Sequence, residues 1–378
     1  MNLRIFLVLT VFTLTCCVKE DTHLKNNTIS IAWIGPKSGP SSIIGVDSFR
    51  AVELGIEEFR KKNPQINIDF YSEDDQYQSR NSIVKYESLV REHPLNLLIL
   101  ATYSASAKIS QLAKNDHVTV INPIDNDEQL IASCENVFFI AKRSEDVVDL
   151  IVKQLKNSSF KKTFILYFND DEFMPTLKTR AVEQLKLLGI ASKVFSYNGK
   201  TINFRPAIIE AKNFGADSFI FLGYEEIGFA IKQARARGFK DEAFFTANLG
   251  ASVLSAADAK ADNVYFTDFR RQDSPSSEMD SFLEKYKNRF QRKPDLLWTA
   301  VQSYDAINIA LSAIQGDLPH TSEKLSLLFK NHLMNIKNYA GLSGNITVLP
   351  DKSTSGIYWS LYQWSSESQA KLIFRAKP

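Results

Sequence analysis

Cysteine is nearly missing from this chain. Of three cysteines in 378 residues, Cys16 and Cys17 stand together near the amino end and only Cys134 lies beyond them. One thiol in the body excludes an internal disulfide, so the fold is expected to hold by packing alone, with Cys134 a small buried residue. Histidine is scarce as well. His23, His93, His117, His320 and His332 are scattered, with no HExxH pair and no Cys/His cluster to hold a metal. Neither sign of charge dominates: 45 Lys and Arg face 43 Asp and Glu, for a net +2. There is no basic field for nucleic acid and no acidic tail. A G-x-S-x-G nucleophile elbow is also lacking, and most carboxylates fall on expected helix surfaces. Neither catalysis nor a metal nor a cofactor is expected.

Long apolar runs are confined to the amino end. Arg4 precedes an apolar stretch over 5–15, too short to cross a bilayer but of signal-peptide proportions. The sequence Leu14-Thr15-Cys16-Cys17 resembles a bacterial lipoprotein signal. It implies cleavage after residue 16, a lipid on Cys17 and a polar tether to residue 27. Cys16 departs from the usual Gly, Ala or Ser before the lipidated cysteine, and an ordinary secretory signal stays open as the alternative. Either way the expected place is the periplasmic side of the cell envelope, with the anchored form bound to the membrane.

The remaining residues, about 360, are enough for two domains. Strand and helix alternate almost without interruption. Expected strands are 29–34, 66–71, 97–101, 118–121, 137–141, 163–167, 192–196, 218–222, 243–246 and 263–267. Helical patterns at 79–91, 104–115, 144–156, 176–188, 204–214 and 227–237 lie between them. The strands are runs of Val, Ile and Phe, as in parallel sheets covered on both faces. The fold class is therefore α/β, with too many strands for one sheet. From 277 the rhythm changes to helices at 279–290, 298–314 and 322–336, then returns to strands at 345–348, 356–364 and 371–375. The first unit is the most telling. A strand at 29–34 enters the loop Gly35-Pro36-Lys37-Ser38-Gly39-Pro40 and then a helix whose Phe49, Val52, Ile56 and Phe59 share a face. Such a unit offers a ligand site at the mouth of a sheet, and the loop lacks the order of a nucleotide-binding P-loop.

Further motifs follow in order. They are Tyr103-Ser104-Ala105-Ser106, Ile121-Asn122-Pro123, 232–238 reading KQARARG, 298–306 reading WTAVQSYDA, and Gly341-Leu342-Ser343-Gly344. Together with the first loop, their order and spacing resemble a type I periplasmic binding protein of the branched-chain amino acid and amide group. The resemblance implies two Rossmann-like lobes joined by three crossing strands: 28–141 with 268–347, and 142–267 with 348–378. It also implies a small polar ligand in the cleft (an amino acid, an amide or a related carboxylate) and an ABC-type permease as partner. A sensory or regulatory envelope lipoprotein, with a protein partner in place of a permease, is the alternative.

Site residues come from the same resemblance. Ser104, with Tyr103 beside it, occupies the place of a serine that holds the ligand carboxylate; it also reads as an ordinary helix N-cap. After Pro123 the amino-acid binders have two small residues and Thr, whereas this chain has Ile124-Asp125-Asn126. Asn126 is a substitute donor. Asp125 either meets a cationic group or caps the helix beginning near Asp127. Phe173 is expected as an aromatic wall in the loop before a helix at 176, and Ile44 stands where an aromatic is usual. Asn248 replaces the acidic partner of a ligand ammonium, a costly loss. Tyr224 and Glu225 open a helix at a strand end, as cleft residues or as a solvated helix start.

Overall fold

The computed structural model describes residues 27–247, 250–258, 263–364 and 370–376. The expected signal, Cys17 and Asn248 lie outside them.

Two β-sheets organise the chain. The first is built from β1 (Thr28–Gly35), α1 (Ser42–Lys62), β2 (Asn67–Asp74), α2 (Ser79–Glu92), β3 (Leu97–Leu100), α3 (Ser106–Asn115), β4 (Thr119–Asn122), α4 (Glu128–Ser133) and β5 (Val137–Phe139). Its order is β2-β1-β3-β4-β5, all parallel. Every residue of β3 and β4 is buried, which is why these strands read as unbroken runs rather than alternating patterns.

The second sheet begins after α5 (Glu145–Lys156). It takes β6 (Lys162–Phe168), α6 (Phe173–Leu187), β7 (Ala191–Tyr197), α7 (Arg205–Phe214), β8 (Ser218–Leu222), α8 (Ile227–Ala236), β9 (Ala243–Thr246), α9 (Ala251–Ala257) and β10 (Val264–Asp268). Three helices follow: α10 (Ser277–Phe290), α11 (Leu297–Leu311) and α12 (Ser322–Met334). They return to the first sheet, where Thr119 Oγ1 donates to Ser326 O (2.7 Å) and Ser303 Oγ to Ser48 Oγ (2.8 Å). Next come β11 (Tyr339–Ala340), β12 (Gly344–Val348) and β13 (Thr354–Ile357), a small antiparallel sheet. Finally β14 (Ser360–Trp364) and β15 (Ala370–Arg375) join the second sheet antiparallel, giving β15-β14-β10-β9-β8-β6-β7.

The chain thus passes between the lobes three times, after β5, after β10 and by way of β13 into β14. The first and third passages lie together: Phe139 N–H donates to Lys352 O (2.9 Å) and Thr354 Oγ1 to Phe139 O (2.8 Å).

Helix α11 carries twelve buried residues, on nearly every side, because it packs against both α1 and α12. Gly55 allows that approach, since a Cβ there would stand 2.6 Å from Ile307 Cγ2. Gly45 is more constrained still. A Cβ at Gly45 would lie 1.8 Å from the carbonyl oxygen of Pro36, so the first loop folds directly over the first turn of α1. Gly45→Ala is expected to cost about 3 kcal/mol, at the upper end for overpacking, because backbone rather than a rotamer must move. Urea denaturation measures it, and a loss under about 0.5 kcal/mol would show that the loop yields freely.

Three local expectations are corrected. The stretch 356–364 is not one strand: β13 pairs with β12, β14 pairs with β10, and the chain crosses between lobes at Tyr358 and the buried Trp359. Helix α6 starts at Phe173, not 176, because Asp171 Oδ1 accepts the Met174 N–H (2.8 Å) and caps it early. Helix α3 starts at Ser106, after a turn closed by Ser106 N–H to Tyr103 O (3.1 Å). Ser104 is therefore not its N-cap.

Candidate functional site

The carboxyl ends of the parallel strands in both sheets face one cleft, the place where open α/β sheets take ligands. A cavity of about 40 Å³ lies there, room for roughly one or two waters. Ile44, Tyr77, Ile124, Asp125 and Trp298 line it from the first lobe and its returning helices. Ser144, Val147, Phe173, Met174, Leu177, Tyr224, Ala247 and Trp359 line it from the crossings and the second lobe. A larger groove of about 720 Å³ runs over α1, α10 and α11 past Glu58, Lys285 and Tyr304. It opens to the outside, away from the strand ends, and its shape is that of a surface furrow.

The cleft is closed. Tyr77 and Tyr224 meet edge to face, with ring centres 6.4 Å apart, and Tyr103 lies 5.4 Å from Phe173. Ser252 Oγ, at the start of α9, donates to Asp295 Oδ2 before α11 (2.7 Å). Glu128 N–H donates to Glu145 Oε1 (2.8 Å). A ligand the size of an amino acid enters only if these contacts part.

The expected site residues divide. Ile44, Asp125, Phe173 and Tyr224 line the cavity together. Ser104 is half-buried outside the lining. Asn126 is buried outside the lining, with one of its two amide N–H donors given to Ala141 O (2.8 Å) in the first crossing. Glu225 is exposed and its carbonyl accepts the Gly228 N–H (3.1 Å), so it is the solvated helix start and not a cleft residue. Asp125 does not cap α4; Asp127 does, accepting the Leu130 N–H (3.0 Å). Tyr77, Trp298 and Trp359 went unnoticed because they come from remote parts of the chain. Trp298 opens the motif at 298–306 and Trp359 falls in the strand-like stretch 356–364, and neither pattern by itself marks a cleft residue.

The electrostatics are one-sided. Asp125 is 1% exposed, and its Oδ2 has no protein partner. Burial, helped by the negative charges of Asp127 and Asp171, holds its carboxyl well above the ordinary range. Asp171 is pushed up to about 6 by burial, against hydrogen bonds from Tyr224 Oη (2.5 Å) and the Met174 N–H. Beneath Tyr77, Asp75 is also raised to about 6 by burial, while accepting from Ser82 Oγ (2.7 Å) and the Tyr77 N–H (2.8 Å). The first loop points elsewhere. Lys37 N–H and Ser38 Oγ are tied to Asp74 (2.9 and 2.6 Å), and the Lys37 ammonium sits over the Phe49 ring. Among the described residues there is no cluster of His, Cys, Asp and Glu suited to a metal, and no helix is long and apolar enough to cross a membrane.

Comparison with known proteins agrees with this geometry. The family described as periplasmic binding protein matches residues 28–369. The Leu/Ile/Val-binding protein homolog 7 of Brucella suis is 24% identical over 290 residues, covering 70% of this chain and 72% of its own. Among solved structures, the branched-chain amino acid transporter substrate-binding protein LivJ of Streptococcus pneumoniae, in complex with isoleucine, superposes with a TM-score of 0.79. It is 18% identical, over 92% of this chain and 99% of that one. The leucine-binding protein LivK of Thermotoga maritima also gives 0.79, at 17% identity over 93% and 99%. A solute-binding protein of an ABC transporter from R. palustris, in complex with 4-hydroxybenzoate, gives 0.78 at 15% identity over 93% and 97%.

Proposed function

Because this chain belongs to the periplasmic binding protein family, we propose that it is a lipid-anchored solute-binding protein that closes on a small polar ligand and delivers it to an ABC-type permease. The lobes are taken as 28–141 with 268–347, and 142–267 with 348–378. The sequence at Cys17 supports the anchor. The observation that carries the reading is the buried cavity at facing strand ends, walled by both lobes and holding a carboxylate oxygen without a partner. Relatives of this fold are described with isoleucine and with 4-hydroxybenzoate, so the scaffold does not dictate the cargo. An amino acid, an amide or a related carboxylate is the class the family suggests.

The test is a thermal-shift screen of the full-length protein in detergent, paired with uptake of the hits by cells with and without the chain. A ligand at 100 times its Kd is expected to add about 2.7 kcal/mol of stability. Cys17→Ser is expected to release the protein from membranes. Hits that bind but whose uptake is indifferent to the chain would favour a sensory or regulatory lipoprotein, a reading the small closed cavity also admits.

A further inference from the structure

We propose that the cleft selects a small organic cation, an amine whose charged nitrogen pairs with Asp125 and whose other polar group is an uncharged acceptor. This rests on the solute-binding reading and narrows its ligand.

Three observations carry it. First, Asp125 and Tyr77 line one cavity, and the Asp125 Oδ2 and Tyr77 Oη atoms are both buried and both without protein partners. A buried carboxylate is costly when unpaired, and a cation in the cavity relieves that cost. Second, the walls are π faces: Tyr77, Tyr224, Phe173, and Trp298 with Trp359, whose rings stand 5.0 Å apart. Such walls favour a positive nitrogen.

Third, nothing charged in the lining answers an anion. Among the described lining residues there is no Lys or Arg. Lys142 lies behind the indoles, its Nζ 4.8 Å from the Trp359 ring centre and 2.9 Å from Gln302 Oε1. The amino end of α6, which reaches the cavity, is already capped by Asp171. The groups facing Asp125 are Asn122, Asp127, Asp171 and the phenols of Tyr77, Tyr103 and Tyr224. A ligand carboxylate would be buried among acids. The buried indole N–H groups of Trp298 and Trp359, also without protein partners, suit a neutral carbonyl or hydroxyl oxygen instead.

A proton accounts for the coupling. Burial keeps Asp125 protonated in the free protein to higher pH than an ordinary carboxyl. On binding, the cation takes the place of that proton, which leaves to solvent. Affinity therefore rises about tenfold per pH unit until Asp125 ionises in the free protein as well.

The experiment is calorimetry on the full-length protein in detergent with isoleucinamide, choline, isoleucine and benzoate, at pH 5.5 and 7.5. Isoleucinamide differs from isoleucine only in replacing a carboxylate by a neutral amide. It is expected to bind at least about tenfold tighter, to tighten as pH rises, and to release protons, read from enthalpies in buffers of different ionisation heat. Asp125→Asn is expected to remove this binding with little change in Tm. If that variant does not fold, proton release by the unaltered protein still decides. Tighter binding of isoleucine or benzoate, or cation binding without proton release, overturns the proposal and leaves the solute-binding reading standing. No response to any of the four compounds also overturns the proposal, and the thermal-shift screen and uptake then decide the solute-binding reading separately.

Discussion

Asp47→Ala is expected to cost about 3–5 kcal/mol of folding stability and to loosen the cleft as it does so. Asp47 is 1% exposed on α1, and both its oxygens are in use. Oδ1 accepts from Tyr286 Oη (2.5 Å), while Oδ2 accepts the backbone N–H groups of Asp295 (2.6 Å) and Leu296 (3.2 Å). Alanine leaves three donors behind in a packed interior, each costing about 1–3 kcal/mol when orphaned, less whatever water recovers. The two backbone donors begin the segment that leads into α11. That segment holds Asp295, which Ser252 reaches from the other lobe, and Trp298, which walls the cavity. One buried carboxylate thus joins folding to closure. Asp47→Asn keeps an acceptor and is expected to fall between wild type and alanine in urea denaturation. A loss under about 1 kcal/mol for Asp47→Ala would mean that Tyr286 and the 295–296 backbone find other partners without help.

How much of this was legible beforehand depended on how local the signal was. The strands at 218–222 and 243–246 were read to the residue because each is short, wholly buried and flanked by polar turns. Helix α5 carries Val147, Val148, Ile151 and Leu155 on its buried side, and its start was placed within one residue. Errors arose where a side chain from outside the element decides. Asp171 caps α6 three residues earlier than periodicity indicates, and the turn after β3 delays α3 past Ser104. The stretch 356–364 looked continuous because Ile357, Tyr358, Trp359, Leu361, Tyr362 and Trp364 run through it without a turn signal. Only the pairing partners, β12 a few residues back for β13 and β10 more than ninety residues back for β14, assign the halves to different sheets. The cleft was partly legible. Ile44, Asp125, Phe173 and Tyr224 each follow a strand or open a helix at the sheet's mouth, where fold-level reasoning looks. Tyr77, Trp298 and Trp359 come from a loop, a returning helix and a crossing, and meet only once the chain has passed between the lobes three times.

The junction of those crossings supplies the second large effect, centred on Lys142. Its side chain is buried where the three passages meet: the ammonium lies 4.7 Å from the Phe269 ring centre and 4.8 Å from that of Trp359, and bonds Gln302 of α11. Burial pulls its pKa from the ordinary 10.5 down to about 7, against the opposing charges of Asp268, Asp273 and Asp305. A lysine with a depressed folded pKa binds its proton more weakly than the unfolded chain does. Its cost is therefore complete below pH 7 and is relieved as pH rises from 7 toward 10.5. At about 1.4 kcal/mol per pH unit the cost at pH 6 is on the order of 5 kcal/mol. Lys142→Met, similar in length and apolar, is expected to be more stable than wild type at pH 6 by that order. The difference should shrink steadily toward pH 10 as wild-type Lys142 sheds its proton. The buried acids Asp268 and Asp305, raised to about 6 by desolvation, titrate over a different window, with stability falling as pH rises from 4 to 6. The comparison between pH 7 and 10 thus isolates the lysine. A constant difference across that range would show that the three aromatic rings and the nearby carboxylates keep the ammonium charged throughout. The Phe269 and Trp359 rings belong to the crossing segments, so the same variant also reports on the hinge. If charge at Lys142 holds the crossings together, the methionine variant should open and close with altered rates even where its stability matches wild type.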